Sequence, residues 1–150
     1  MNELCEAFWL SYCEESSMDA AAQFVRAYRF GDTPDELAQL VATGVKTTTS
    51  NAEKLWTLKQ KRMPICGDYN IIMNKQYEPV ALIQITKVEI KRYDEIDEAF
   101  AIAEGDGSYE NWDRIHERYY KEQLAIYDEP FSKEIPLLCQ TFQLVKVNKQ

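Results

Sequence analysis

The sequence predicts an α+β domain: a small mixed sheet or barrel of about five to six strands, with helices packed outside it. Three observations carry this. The first third of the chain has apolar residues at helical spacing. From Lys46 onward, β-branched and alternating runs take over. One amphipathic stretch is then inserted ahead of a closing strand. No repeat, low-complexity tract or Pro/Gly/Ser linker interrupts the 150 residues, so 1–150 reads as a single domain, with 1–30 as a helical N-terminal extension. A chain of this length buries about 70% of the surface it exposes when unfolded.

Leu4, Phe8 and Tyr12 recur every four residues and predict a first helix. Ala21, Phe24, Val25 and Tyr28 predict a second over roughly 17–29. A third begins in "FGDTP", with Thr33 as cap and Pro34 at the first helical position. Leu37, Leu40 and Val41 are its apolar stripe, and Gly44 fits the left-handed residue that ends it. "KTTTS" then reads as a strand. "RMPICGDYNIIM" holds a Gly-Asp turn and a short apolar strand. "PVALIQITKVEI" is the clearest strand, and its apolar residues change face near Ile85, as at a bulge. A helix over about 109–126 follows an acidic connection, capped by Ser108 and buried through Trp112, Ile115, Tyr119 and Ile126. "LLCQTFQLVKV" closes the sheet. Trp9 reads as core.

Charge narrows the choice of partners. The net charge is −8, but residues 94–113 hold eight acids and no base, leaving 17 of the 25 acids to balance 17 Lys and Arg. "KLWTLKQKR" at 54–62 is locally basic around Trp56. Such a balance disfavours tight binding along a long nucleic acid and leaves room for a site sized for one nucleotide or nucleoside. No apolar run reaches the roughly 18 residues of a membrane span. The acidic start "MNELCEAFWLSYCEESS" lacks the basic region of a secretory signal, so a cytoplasmic protein is expected. Cys5, Cys13, Cys66 and Cys139 form no C-x-x-C pair, and the chain has one histidine, so free thiols and no metal or other cofactor are expected.

Three segments together resemble the ASCH domain family, whose fold is the PUA-like barrel. They are "FGDTPDELAQLVATGVKTTT", a helix followed by G-x-K and hydroxyl residues; "PICGDYNII", the lead-in to a barrel strand; and "FAIAEGDGSYENWDRIHERYY", similar to the E-G-x-G…W…H signature of a bacterial subgroup. The resemblance runs from about Phe30 to Val147. It implies a small β-barrel with a cleft beside the G-x-K strand. RNA binding has been proposed for the family, and some small bacterial members are amidohydrolases that deacylate the exocyclic nitrogen of acylated cytidine. Their catalytic lysine, threonine and glutamate match Lys46, Thr49 and Glu104. Where the broad family motif places a basic residue, this chain has Asn51. Read from the residues themselves, the candidates for lining that cleft are Tyr28, Phe30, Thr47, Asn51, Trp56, Trp112 and His116. The partner the resemblance implies is a nucleoside or single-stranded RNA. The N-terminal helices could close one side of the cleft or form the face of a homodimer.

Amide hydrolysis needs a nucleophile, a base and a proton for the leaving nitrogen. Thr49 could be the nucleophile, Lys46 its base and Glu104 the proton donor. Alternatively Lys46 stays cationic and stabilises an oxyanion while Thr49 positions a water. A non-catalytic RNA-binding module is the other reading. A lysine base must lose about 3 units from its reference pKa of ~10.4, or about 4 kcal/mol, which desolvation could supply and an ionised Glu104 would oppose. Lys46 and Thr49, three apart, point to opposite faces of a regular strand. They meet only if the strand starts late or bends near Thr47. His116, on the apolar stripe after Trp112, reads first as a core or rim histidine, and Trp56 and Trp112 as core residues that could also stack a base.

Overall fold

The structure is a computed structural model, which describes residues 1–31 and 33–149. Its strands are β1 (Val25–Tyr28), β2 (Thr48–Ala52), β3 (Tyr69–Met73), β4 (Pro79–Arg92) and β5 (Pro136–Val147). The helices are α1 (Glu3–Glu15), α2 (Pro34–Ala42), α3 (Glu53–Leu58), α4 (Glu98–Ala103) and α5 (Tyr109–Ala125). One five-stranded sheet runs β1-β3-β4-β5-β2. Only β1–β3 is parallel; the other three pairs are antiparallel. The sheet stays open, with β1 and β2 as its edges, so the barrel is approximate.

The long β4 keeps its two neighbours on a coiled path by slipping register between Leu82 and Ile83 and again between Ile85 and Lys87. The second slip is the face change foreseen at Ile85, and it follows from one extra residue, Thr86, in β4. Two faces result. On the outer face α1 packs Phe8, Trp9 and Cys13 against Tyr69, Ile71 and Leu82. Further along that face, α4 and α5 pack Phe100, Ala101, Trp112, Tyr120 and Leu124 against Ala52, Leu137 and Cys139. On the inner face α2 packs Ala38 and Val41, with Phe30, against Ile72, Ala81, Ile83, Ile85 and Phe142.

Several local expectations change. The helix expected over 17–29 is a 3-10 turn (Ala20–Ala22) followed by β1. Residues 25–28 alternate, with Val25 and Ala27 toward α1 and Tyr28 toward the inner face, and pairing with β3 outweighs the helix propensity of the alanines. The first helix buries Cys5, Phe8, Trp9 and Cys13, while Leu4 is exposed. Thr33 makes no side-chain cap bond to α2. In α5 the inward stripe is Trp112, His116, Tyr120 and Leu124, whereas Ile115 and Ile126 face solvent. A histidine replaces an isoleucine inside because it has partners there, described below. Short α3 and α4 occupy segments with no helix expected. The cysteines are free, with Cys66 alone exposed. No helix among the described residues is long and apolar enough to cross a membrane.

Candidate functional site

Two helix ends deliver Lys46. Helix α2 stops in a Schellman turn: Gly44, at φ +81°, donates to the Val41 carbonyl and Val45 to that of Leu40. Helix α4 stops the same way, with Gly105 (φ +98°) donating to Ile102 and Asp106 to Ala101. The two ends are tied together where the Thr47 N–H donates to the Ala103 carbonyl at 2.8 Å. Strand β2 begins only at Thr48, so Lys46 precedes it, and the late start anticipated from Gly44 is what the chain does.

The Lys46 side chain is 5% exposed and lies along the free edge of β2. Its Nζ donates to the carbonyls of Thr48 and Glu104, both at 2.9 Å, and stands 4.8 Å from the centre of the Phe30 ring. The Glu104 carbonyl belongs to the cap residue of α4, where an unpaired acceptor and the negative helix end favour a cation. The carboxylate of Glu104 is 3.9 Å away. Burial pushes the Lys46 amine below its ordinary pKa, and Glu104 and Asp106 oppose that shift.

Glu104 reaches the outer face of β2. One oxygen accepts from the Ser50 backbone N–H and the other from the Ser50 hydroxyl, both at 2.9 Å. The second oxygen also accepts a short bond from Trp112 Nε1–H. His116 Nε2 stands 3.5 Å from it. The Tyr120 hydroxyl joins the network through Ser50 Oγ at 3.1 Å. Burial alone would raise the Glu104 pKa. His116, by charge and hydrogen bond, then Lys46 and Trp112, outweigh it and hold the carboxyl below its usual range. His116 lies flat on Trp112, with ring centres 4.5 Å apart, and its Nδ1 bonds the Trp112 carbonyl at 2.9 Å. Burial works against its charge, but Glu104 first and Asp106 next raise its pKa overall.

Glu104, Asp106 and His116 are the group among the described residues that could hold a metal ion, their ligand atoms all lying within 4.8 Å of one another. The donor set fits a cation poorly. Both Glu104 oxygens already accept hydrogen bonds, and the Lys46 amine stands beside them.

The expected site residues lie around β2, with Glu104, Trp112 and His116 on its outer side, Thr49, Asn51, Tyr28 and Phe30 on its inner side, and Lys46 at the free edge between them, its Nζ over Phe30. Lys46 and Glu104 come together. Trp112 and His116 join them from the outer face by gripping Glu104, and Trp112, fully buried, offers no face to a base. Thr49 and Asn51 lie on the inner face, paired across the ladder with Gln140 and Leu138. Thr49 directly follows the carbonyl that binds Lys46 Nζ. Phe30 and Tyr28 meet edge to face at 5.3 Å on the inner side, and burial pushes the Tyr28 hydroxyl up to about 12. Trp56 is buried, donates to the Arg62 carbonyl at 3.1 Å and carries Arg26 over its ring at 5.0 Å. Thr47 acts through its backbone, its carbonyl accepting from Phe142 N–H.

Ser50, Asp106, Tyr120, Arg26, Asn70 and Gln140 were not foreseen. For Ser50 and Tyr120 a signal existed: Thr48, Ser50 and Ala52 share a strand face, and Trp112, His116 and Tyr120 recur every four residues. The inner face beside β2 is polar where α2 does not cover it. Asn51 Oδ1 and Gln140 Oε1 are buried there, and Asn70 Nδ2 is buried on the same face beside Arg26 of β1, each without a hydrogen-bond partner among the described residues. Buried polar groups left unpaired cost about 1–3 kcal/mol each. A surface hollow between α1 and the end of β5 contains none of these residues.

Gly105 lets the two helix ends approach. A Cβ there would lie 2.9 Å from Leu40 Cδ1 and 3.7 Å from Lys46 Cβ, on a backbone that L side chains rarely adopt. Leu40 can swing away, so the backbone strain dominates. Gly105→Ala is expected to lose about 1–2 kcal/mol, read as a lower urea midpoint; an unchanged midpoint would contradict the account of this turn.

A family model for the ASCH domain matches residues 26–146, most of the chain. The chain belongs to the ASCH domain family. This ASCH domain is similar to protein EF3133 of Enterococcus faecalis V583, with 33% identity over 98% of this chain and 91% of that one, at a TM-score of 0.87. It shares its fold with an ASCH domain from Lactobacillus crispatus, with 24% identity over 96% of this chain and 95% of that one, at a TM-score of 0.88. No functionally curated protein matches the sequence.

Proposed function

We propose that this ASCH domain binds a nucleoside-sized ligand on the polar inner face beside β2 and hydrolyses the amide of a 4-N-acylated cytidine, with Lys46 as the reacting amine. The observation that carries the reading is the buried Lys46 Nζ. Two carbonyls take two of its hydrogens, and burial weakens its hold on the third. A neutral amine so placed keeps a lone pair free to accept a proton.

The Thr49 hydroxyl attacks the acyl carbon while Lys46 Nζ takes its proton. The resulting ammonium is stabilised by the Glu104 carboxylate. As the C–N bond breaks, the ammonium returns the proton to the leaving nitrogen, giving cytidine and an ester on Thr49. Water, deprotonated by the same amine, then hydrolyses the ester to a carboxylic acid. Glu104 acts here as a fixed negative charge. Its full set of donors and its depressed pKa suit it to that role better than to proton donation.

Loss of the 4-N-acetylcytidine absorbance band tests the reading. Turnover with cytidine and acetate as products is expected, and the absence of both turnover and nucleoside binding would sink the reading. The second reading, a non-catalytic RNA-binding module, draws on the basic segment holding Lys59, Lys61 and Arg62. It predicts RNA affinity that falls steeply with salt.

A further inference from the structure

We propose that Arg26 and Lys61, gathered around Trp56, form a subsite for a phosphate group, so that the inner face takes a nucleotide rather than a free nucleoside. This rests on the reading above that the inner face takes a nucleoside-sized ligand.

Arg26 sits opposite Asn70 in the β1–β3 ladder, and Asn70 sits opposite Ile83 of the inner-face core. The arginine is therefore on the inner face. Its Nε donates to Asn70 Oδ1 at 3.2 Å, and its guanidinium lies 5.0 Å over Trp56 and 5.9 Å over Tyr28. Lys61 Nζ lies 5.2 Å over the same tryptophan. Neither cation has a carboxylate within ion-pair distance among the described residues. The nearby acid, Asp68, is bound by Arg62 at 2.7 Å and by the Ile65 N–H. The chain carries eight more acids than bases, so carboxylates are plentiful. Yet it leaves two neighbouring cations unpaired here, one of them half-buried and unable to shed its proton.

The orphaned amides complete the pattern. The bond from Arg26 fixes which end of Asn70 is oxygen, leaving Nδ2 as a buried donor beside the guanidinium. A phosphate oxygen would satisfy it, and a guanidinium presents parallel N–H groups suited to phosphate. Nearer β2 the orphans are acceptors, Asn51 Oδ1 and Gln140 Oε1, which suit N–H groups of a base. A row of side chains joins the two ends: Lys46 over Phe30, Phe30 against Tyr28, Tyr28 beneath Arg26. Arg26 and Phe30 are four residues apart, at most about 13 Å along a strand, the scale of one nucleotide from base edge to phosphate.

The test follows the Trp56 indole N–H by NMR while inorganic phosphate, cytidine, cytidine 5′-monophosphate and a cytidine trinucleotide are titrated. The monophosphate is expected to bind at least about tenfold more tightly than cytidine. That ratio should fall to near one in Arg26→Gln and in Lys61→Gln, the latter at an exposed position that leaves the fold intact. Inorganic phosphate should shift the indole signal saturably in wild type and not in Arg26→Gln. A trinucleotide that binds more tightly still, with the same dependence on Arg26, assigns the phosphate to an RNA strand. Equal affinity for cytidine and its monophosphate overturns the subsite and leaves the nucleoside reading standing. Saturable phosphate binding without any cytidine binding supports the subsite and removes the nucleoside reading. No binding of any of these overturns both.

Discussion

Glu104→Ala is expected to lose about 3–5 kcal/mol of stability, the usual cost of removing one member of a buried ion pair. It takes away the acceptor for the Ser50 N–H, the Ser50 hydroxyl and Trp112 Nε1–H, and the negative charge beside Lys46 and His116. For a chain of this length that lowers Tm by on the order of 10 °C. The pH dependence should change with it. His116 has a folded pKa raised above its ordinary 6.5, so its contribution is complete below that pH and is lost as pH rises through the folded value. Glu104 has a folded pKa below its ordinary 4.5, so its contribution is present above that pH and is lost as pH falls through the folded value. Wild type should therefore be steadiest between the two, and Glu104→Ala should flatten both flanks. A loss under about 1 kcal/mol would mean the network is not what holds α4 and α5 to β2.

Lys46→Met is expected to lower kcat for 4-N-acetylcytidine by about 10²–10⁴-fold, the range for removing a general acid–base group. KM should change little, since the inner-face residues that would hold the base are untouched. Methionine fills the lysine's volume, and Glu104 keeps His116, Ser50 and Trp112 as partners, so the fold survives. Circular dichroism and Tm separate loss of chemistry from loss of structure. Turnover within about threefold of wild type would remove Lys46 from the reaction.

Much of this arrangement is legible in the sequence, for physical reasons that can be named. Gly44 and the "EGDG" loop mark backbone turns that few other residues make, and those turns place Lys46 against Glu104. The face change in β4 shows as a break in alternation. Legibility fails where tertiary pairing outvotes local propensity. The alanine-rich run before Val25 carries helix-like spacing, and only its partner β3 makes 25–28 a strand. It fails again in α5, where hydrophobicity selects Ile115 and Ile126 but the structure buries His116, because Glu104, fifty-eight residues after Lys46 and on another element, supplies its counter-charge. Ser50 was hidden behind Thr49. Both are hydroxyl residues in one strand, and only the direction of α4 decides which meets the carboxylate. Arg26, Asn70 and Gln140 carry no motif, and their association comes from sheet order alone.

Lys46 is a buried amine whose proton is loosened by desolvation and retained by Glu104. The direct measurement is its titration by ¹³C NMR at the lysine Cε, assigned by its absence in Lys46→Met. Lys46 should titrate below the exposed lysines, and lower again in Glu104→Gln. Titration together with the exposed lysines, indifferent to Glu104→Gln, would contradict the account.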